Sequence, residues 1–327
     1  MMNLMRDGYI CHPQQLYCVR RLTFSEGKAK GAALIEVQTA GGLQVDILPD
    51  SGLDIGQVRF LGTNMTLITK NGYDGPSAFN PLDQEFMHTF PGGLMHTCGL
   101  RNAGPAGEDG GEWMTMHGRV HGIPAEQVCA EVEGEDIIIK GVLRETALFG
   151  PVLVLKREIR IPCFGSEISV HDTISNETPK DEEYMLLYHC NFGFPLLSAD
   201  AKLLFPEKRQ TIPRTPFAAE GLDKACVFNA PIDGEEERCY FQKMEEEFYA
   251  CLQNPKLGVE MKLSWSGDTL PLMVEWRSMA SGDYSLGLEP SNTYINGRKA
   301  ERENATLPVL PAYSSVETSL HFAFRKM

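Results

Sequence analysis

Runs in which every second residue is apolar recur along nearly the whole chain, among them ALIEVQTA, LQVDILP, VLVLKREIRIP, SEISVHDTIS, VEMKLSW, LMVEWRS and SVETSLHFAF. Successive side chains of a strand point to opposite faces, so a two-residue period marks a strand with one face buried. KREIRI alternates charge with isoleucine, as a half-solvated antiparallel strand does. CAEVEGEDIIIKGVL reads as a hairpin turning at Gly134. Clusters of Gly, Pro, Asn and Asp separate these runs at short intervals, which favours an all-β sandwich or barrel over alternating strands and helices. Helical signal is sparse: YFQKMEEEFYACLQN, residues 240–254, has the best periodicity and fits a polar hairpin equally well.

The 327 residues have room for one or two domains. No Pro-rich or Ser-rich linker and no repeat of fixed period divides them, so one domain over 1–327 is predicted. The 44 acidic residues outnumber the 30 basic ones, for a net charge of −14. The basic residues are scattered, which argues against nucleic acid or an anionic membrane surface as partner. The N-terminal MMNLMRDGYICHPQQLYCVRRL lacks the continuous apolar core of a signal peptide, and no later run reaches the ~20 apolar residues of a membrane span. A soluble, cytoplasmic protein is the expectation. Nine cysteines, an odd number with no C-x-x-C pair, favour neither a disulfide framework nor a zinc ribbon. Most read as small buried hydrophobes.

One region breaks the strand pattern. NPLDQEFMHTFPGGLMHTCGLRNAGPAGEDGGEWMTMHGRVHGIPAE shows no sustained period and is rich in Gly, His, Met and acidic residues. A long segment of this composition inside a β protein reads as a functional loop. It holds Arg101 and Asn102 in CGLRNAG, between glycines that let a ligand approach the backbone, and His117 and His121 in MHGRVHG. The i, i+4 spacing of those histidines can present two metal ligands, but the flanking glycines disfavour a helix and no third ligand lies nearby.

Outside that region three motifs stand out. YMLLYHCNFGFPLL places His189 and Asn191 two residues apart in an apolar run, so both project from one face of a strand. LGLEPSN sets Glu289 before Pro290, which marks a strand end or edge. In LPDSGLDIGQV, Asp50 suits a turn, whereas Asp54 lies between Leu53 and Ile55 and points inward. Cys98 and Cys190 neighbour the interesting histidines without forming a recognisable Cys–His–Asn or Cys–His–Asp order.

The order of these elements resembles the aldose 1-epimerase, or galactose mutarotase-like, superfamily, whose pattern runs N-R, L-H-G-G, H-x-Y-F-N-L and a late L-E. Arg101 and Asn102 look like the first element, MHGR the second, YHCNFGFPLL the third and GLEPSN the fourth, in order from roughly Gly31 to Phe324. The chain is most similar to an uncharacterised branch sharing PQQL, LPDSGLDIG, CGL-N-G and HGR. It departs from the wider pattern in R-N for N-R, in Arg119 for the second glycine and in His-Cys-Asn-Phe for His-x-Tyr-Phe-Asn, which leaves the substrate open.

The resemblance implies a large antiparallel β-sandwich, the galactose mutarotase-like supersandwich, and an enzyme that interconverts the anomers of an aldose or aldose derivative. That reaction needs one base and one acid and neither metal nor other cofactor. Glu289, as an ionised carboxylate, takes the base role and His189, near the ordinary imidazole pKa of ~6.5, the acid role. Arg101, Asn102, His117, Arg119, Asp54 and Asn191 are the predicted substrate contacts, with Trp276, Tyr188, Phe192 and Trp113 available as an apolar floor for the sugar. Arg101 and Arg119 match an anionic substituent, or else pair with Glu108, Asp109 or Glu112. Two other readings stay open: a non-catalytic carbohydrate-binding protein on the same fold, and a metal-dependent sugar isomerase using His117, His121 and His189.

Overall fold

The alternating runs fold as strands, and the computed structural model describes residues 7–75, 79–80, 82 and 85–327. Eight strands form the largest sheet, in the order Lys202–Leu204, Tyr249–Asn254, Val259–Trp265, Ser315–Lys326, Glu167–Asn176, Val152–Pro162, Asp136–Thr146 and Glu126–Glu133. A six-stranded sheet runs Arg209–Pro213, Arg238–Met244, Leu272–Ser278, Ser285–Ser291, Met185–Phe192 and His96–Leu100. A five-stranded meander covers Cys18–Thr23 to Thr63–Asn64. All neighbours within these sheets pair antiparallel. The hairpin expected at Gly134 is present, with that glycine at φ 65°.

One main core joins the sheets. It takes Leu155, Ile159, Phe322 and Phe324 from the eight-stranded sheet, Tyr188, Cys190, Phe192, Met273 and Leu288 from the six-stranded sheet, and Val45, Ile47 and Ile55 from the meander. The strand alternation sends the intervening residues of the six-stranded sheet to its other face, where Cys98, Leu187, Cys239, Phe241 and Val274 make a smaller cluster. His189, Asn191, Trp276 and Glu289 belong to that second face by the same period. Six of the nine cysteines are buried and none is in a disulfide. No helix among the described residues is long and apolar enough to cross a membrane.

Three expectations change. Residues 240–254 are neither a helix nor a hairpin: Arg238–Met244 lies in the six-stranded sheet and Tyr249–Asn254 in the eight-stranded one, so the chain crosses between sheets over 245–248. Burial on one face of each strand outweighs the helical propensity of the Glu-rich turn between them. His96–Leu100, inside the segment read as an irregular loop, is a strand paired with Met185–His189. Five residues are too few for a period to declare itself. In KREIRI, Lys156 and Arg160 face out as read, but Arg157 points inward and is 2% exposed.

Beneath Trp276, on the inner face of the same strand, Glu275 is buried with Oε2 accepting from Gln242 Nε2 at 2.7 Å and Oε1 without a partner. Burial raises its pKa to about 7. A raised carboxyl stabilises the fold below its unfolded value, and that stability is lost as pH rises through about 7. Glu275→Gln should therefore be more stable than wild type at pH 8 by on the order of 2–3 kcal/mol and nearly equal to it at pH 5. Urea denaturation at both pH values checks this.

Candidate active site

The register of three strands assembles the centre of the site. On Met185–Phe192, His189 lies directly opposite His96, and Cys190 opposite Leu288, which brings His189 alongside Glu289. Nε2 of His189 and Oε1 of Glu289 are 3.2 Å apart, not aligned as a hydrogen bond, and the residues are 6% and 1% exposed. Gly287 makes room for this: a Cβ there would stand 2.2 Å from Glu289 Oε1 and 3.2 Å from Trp276 Cε3. The carboxyl folds back along its own strand over that glycine.

Three further imidazoles, of His96, His117 and His121, gather around this pair. His117 sits at φ 56°, a conformation non-glycine residues seldom adopt, and its ring centroid is 5.9 Å from that of His189. His121, from the short turn Val120–Gly122, lies 4.8 Å from His96. Trp276 stands edge-on to His189 at 5.5 Å. Phe86 and Phe90, on and just after the short helix Phe86–Thr89, cover the group: Phe86 lies 4.8 Å from His117 and Phe90 4.9 Å from His189.

Buried polar atoms are normally hydrogen-bonded. Here His96 Nε2, His121 Nδ1, His189 Nδ1, Asn191 Oδ1 and Glu289 Oε1 all lack partners, and they cluster on one face. Burial, reinforced by the charge of Glu237, pushes the Glu289 pKa well above the usual carboxylate range, with Arg214 opposing. Burial, then His117, lowers His189 to about 3. The same desolvation lowers His117 to about 4 and His121 to about 3. Desolvation thus disfavours the charged form of both partners, raising the carboxyl and lowering the imidazole. Cys98 and Cys190 are pushed well above the normal thiol range by burial, which removes the thiolate a nucleophile needs.

The other predicted contacts fare differently. Asp54 lies below the site, accepting from Thr97 N and Oγ1 and pairing with Arg157 at 2.7 Å, with His96 Nδ1 at 3.7 Å. Asn102 uses its amide within the protein, donating to Pro105 O and Thr115 O and accepting from Arg298 N. Arg101 pairs with Glu112 at 2.5 Å, and Arg119 is exposed. Asn191 donates to Gly93 O and His189 O, which holds the strand beside His189. Tyr188 and Phe192 are core residues, because their neighbours His189 and Asn191 face the other way. Among the described residues, no three His, Cys, Asp or Glu side chains are arranged to hold an ion.

Sequence reasoning missed His96, Phe86 and Phe90. A histidine in the apolar GLMHTCGL is the same signal that picked out His189. A cavity of about 40 Å³ touches His96 and His121, and a cleft of about 520 Å³ lies between Glu85, His88, Pro105, Ala106, Trp113 and Met116. Neither is lined by His189 or Glu289.

Solved structures share this architecture. A Klebsiella pneumoniae protein provisionally named an aldose 1-epimerase superposes with a TM-score of 0.88 at 21% identity, over 94% of this chain and 83% of that one. A galactose mutarotase-like protein from Clostridium acetobutylicum gives 0.70 at 12% identity, over 96% and 100%. The galactose 1-epimerase of Lactobacillus acidophilus gives 0.65 at 12%, over 94% and 99%. No curated protein sequence matches the chain significantly. The fold is the galactose mutarotase-like sandwich, and because the model of a domain of unknown function, DUF4432, matches residues 29–324, the chain belongs to that family, an uncharacterised branch with that fold.

Proposed function

We propose that the chain catalyses the interconversion of aldose anomers, with Glu289 and His189 as the acid–base pair. The observation that carries this reading is the 3.2 Å approach of His189 Nε2 and Glu289 Oε1 among buried polar atoms that lack partners. Anomer exchange takes a proton from the anomeric hydroxyl and gives one to the ring oxygen. The C1–O5 bond breaks, the aldehyde rotates about C1–C2, and the ring closes on the other face. Proton count is conserved, so a pair that shares a single proton is what the reaction needs.

One member of the pair protonates the ring oxygen while the other accepts the hydroxyl proton. Ring closure runs the transfers backwards and restores the pair. Each transfer contributes typically about 10²–10⁴-fold. Trp276 offers its face to the C–H side of the sugar. Phe86 and Phe90 lie against the imidazoles, so a hexose reaches the pair only when these two rings shift.

Polarimetry of freshly dissolved α-glucose, α-galactose and their acidic derivatives tests the reading: relaxation to the anomeric equilibrium should speed up in proportion to added protein. Relaxation unchanged for every sugar counts against it. Gly287→Ala probes the geometry, since its methyl displaces the Glu289 carboxyl. The exchange rate should fall by about 10-fold or more with little change in thermal midpoint, and an unchanged rate contradicts the placement.

A further inference from the structure

We propose that Arg214 is the specificity-determining residue, gripping an oxyanion carried by the sugar, so that the site takes phosphorylated, sulfonated or carboxylated aldoses. This deepens the acid–base reading of the same site and rests on it.

Arg214 follows the edge strand Arg209–Pro213, and its backbone N–H donates to Cys239 O at 2.9 Å. Cys239 is the partner of Trp276, Trp276 of Gly287, and Gly287 of Asn191. One row across the six-stranded sheet therefore carries Arg214, Trp276 and the glycine over which the Glu289 carboxyl folds. At about 4.8 Å per strand, the Arg214 backbone is roughly 14 Å from Gly287. A guanidinium side chain and a hexose together span such a gap.

The guanidinium is tethered on the His117 side. Nη2 of Arg214 donates to Ile295 O at 3.3 Å. That carbonyl packs against Gly104, where a Cβ would come within 2.4 Å of it, and Gly104 N donates to His117 Nδ1 at 3.4 Å. The charge of Arg214 is accordingly felt by both His117 and Glu289.

Charge pairing sets Arg214 apart. Arg101 is neutralised by Glu112, Arg298 by Asp109 and Glu183, and Arg302 by Asp109. Arg214 is exposed and makes no ion pair among the described residues. Arg119, also exposed, acts on Glu145 rather than Glu289. A guanidinium carries five donors in a planar fork suited to two oxygens of one oxyanion, and a single side-chain bond to a carbonyl leaves most of them for a ligand. The nearby carboxylate of Glu237 accepts from Trp276 Nε1 at 2.6 Å and repels an anion, which directs it to the Arg214 end.

The test uses glucose, glucose 6-phosphate, glucose carrying a 6-sulfonate, and glucuronate on the full chain. Arg214→Gln should cut the preference for the favoured anionic sugar over glucose, as a ratio of kcat/KM, by about 10²-fold, with Arg214→Lys retaining part of it. A ratio unchanged in Arg214→Gln, or a wild type that binds none of the three anionic sugars more tightly than glucose, overturns the proposal. Calorimetric binding to Glu289→Gln protein, with and without Arg214→Gln, separates the two readings. Arg214-dependent binding of an anionic sugar without anomer exchange in wild type removes the mutarotase reading and keeps the Arg214 subsite. Anomer exchange with binding independent of Arg214 does the opposite.

Discussion

Glu289→Gln and His189→Asn should each lower the anomer-exchange rate by at least about 10²-fold while the protein stays folded, because each removes one of two proton transfers. The double variant should be little slower than the poorer single one, since the pair works as a unit. The pH profile follows from the shared proton. Activity falls when the pair takes up a second proton and when it loses its only one, and these apparent values belong to the pair. Burial lowers His189 to about 3 and raises Glu289 well above the carboxylate range. The acid limb of kcat/KM should therefore lie well below the ordinary imidazole value of ~6.5, with activity persisting at pH 5. An acid limb centred near ~6.5 would show His189 to be titrating as an exposed imidazole and would contradict the one-proton state.

Arg157→Met should destabilise the protein by about 3–5 kcal/mol, because it strands two buried carboxylates. Arg157 Nη1 contacts Asp54 Oδ1 at 2.7 Å, and Nη2 contacts Asp172 Oδ2 at 2.6 Å and Thr97 Oγ1 at 2.8 Å. Tyr188 completes the set by donating to Asp172 Oδ2 at 2.7 Å. Arg157 and Asp172 come from the eight-stranded sheet, Thr97 and Tyr188 from the six-stranded sheet, and Asp54 from the meander, so one guanidinium ties three sheets together beneath His96 and His189. Adding Asp54→Asn and Asp172→Asn to Arg157→Met should recover part of the loss, as the stranded charges are removed. Equilibrium urea unfolding of the single and triple variants measures both effects, and a loss below ~1 kcal/mol would show the network to be energetically idle.

Much of this was legible from the chain alone. The two-residue period gave the strands and their buried faces, and a polar pair inside YMLLYHCNFGFPLL marked His189 and Asn191 as sharing a face. What stayed hidden depends on register between strands distant in sequence. His96 joins the site only because it falls opposite His189, and Arg214 only because three cross-strand steps align it with Gly287. Asp54 read correctly as inward but not as the partner of Arg157: the period of KREIRI sets Arg157 on the face of Ile159 and Ile161 but does not show which carboxylates it meets. The direction of the pKa shifts escaped for a related reason: a pKa is set by burial and neighbours, not by residue type.

The most direct test of the account is two-dimensional exchange NMR of α and β anomers, run on wild type and folded Glu289→Gln at equal concentration with thermal midpoints taken on the same samples. The account predicts anomer cross-peaks that grow with wild-type protein and fall by at least about 10²-fold in a Glu289→Gln sample that still melts cooperatively. Exchange at the wild-type rate in folded Glu289→Gln would contradict it.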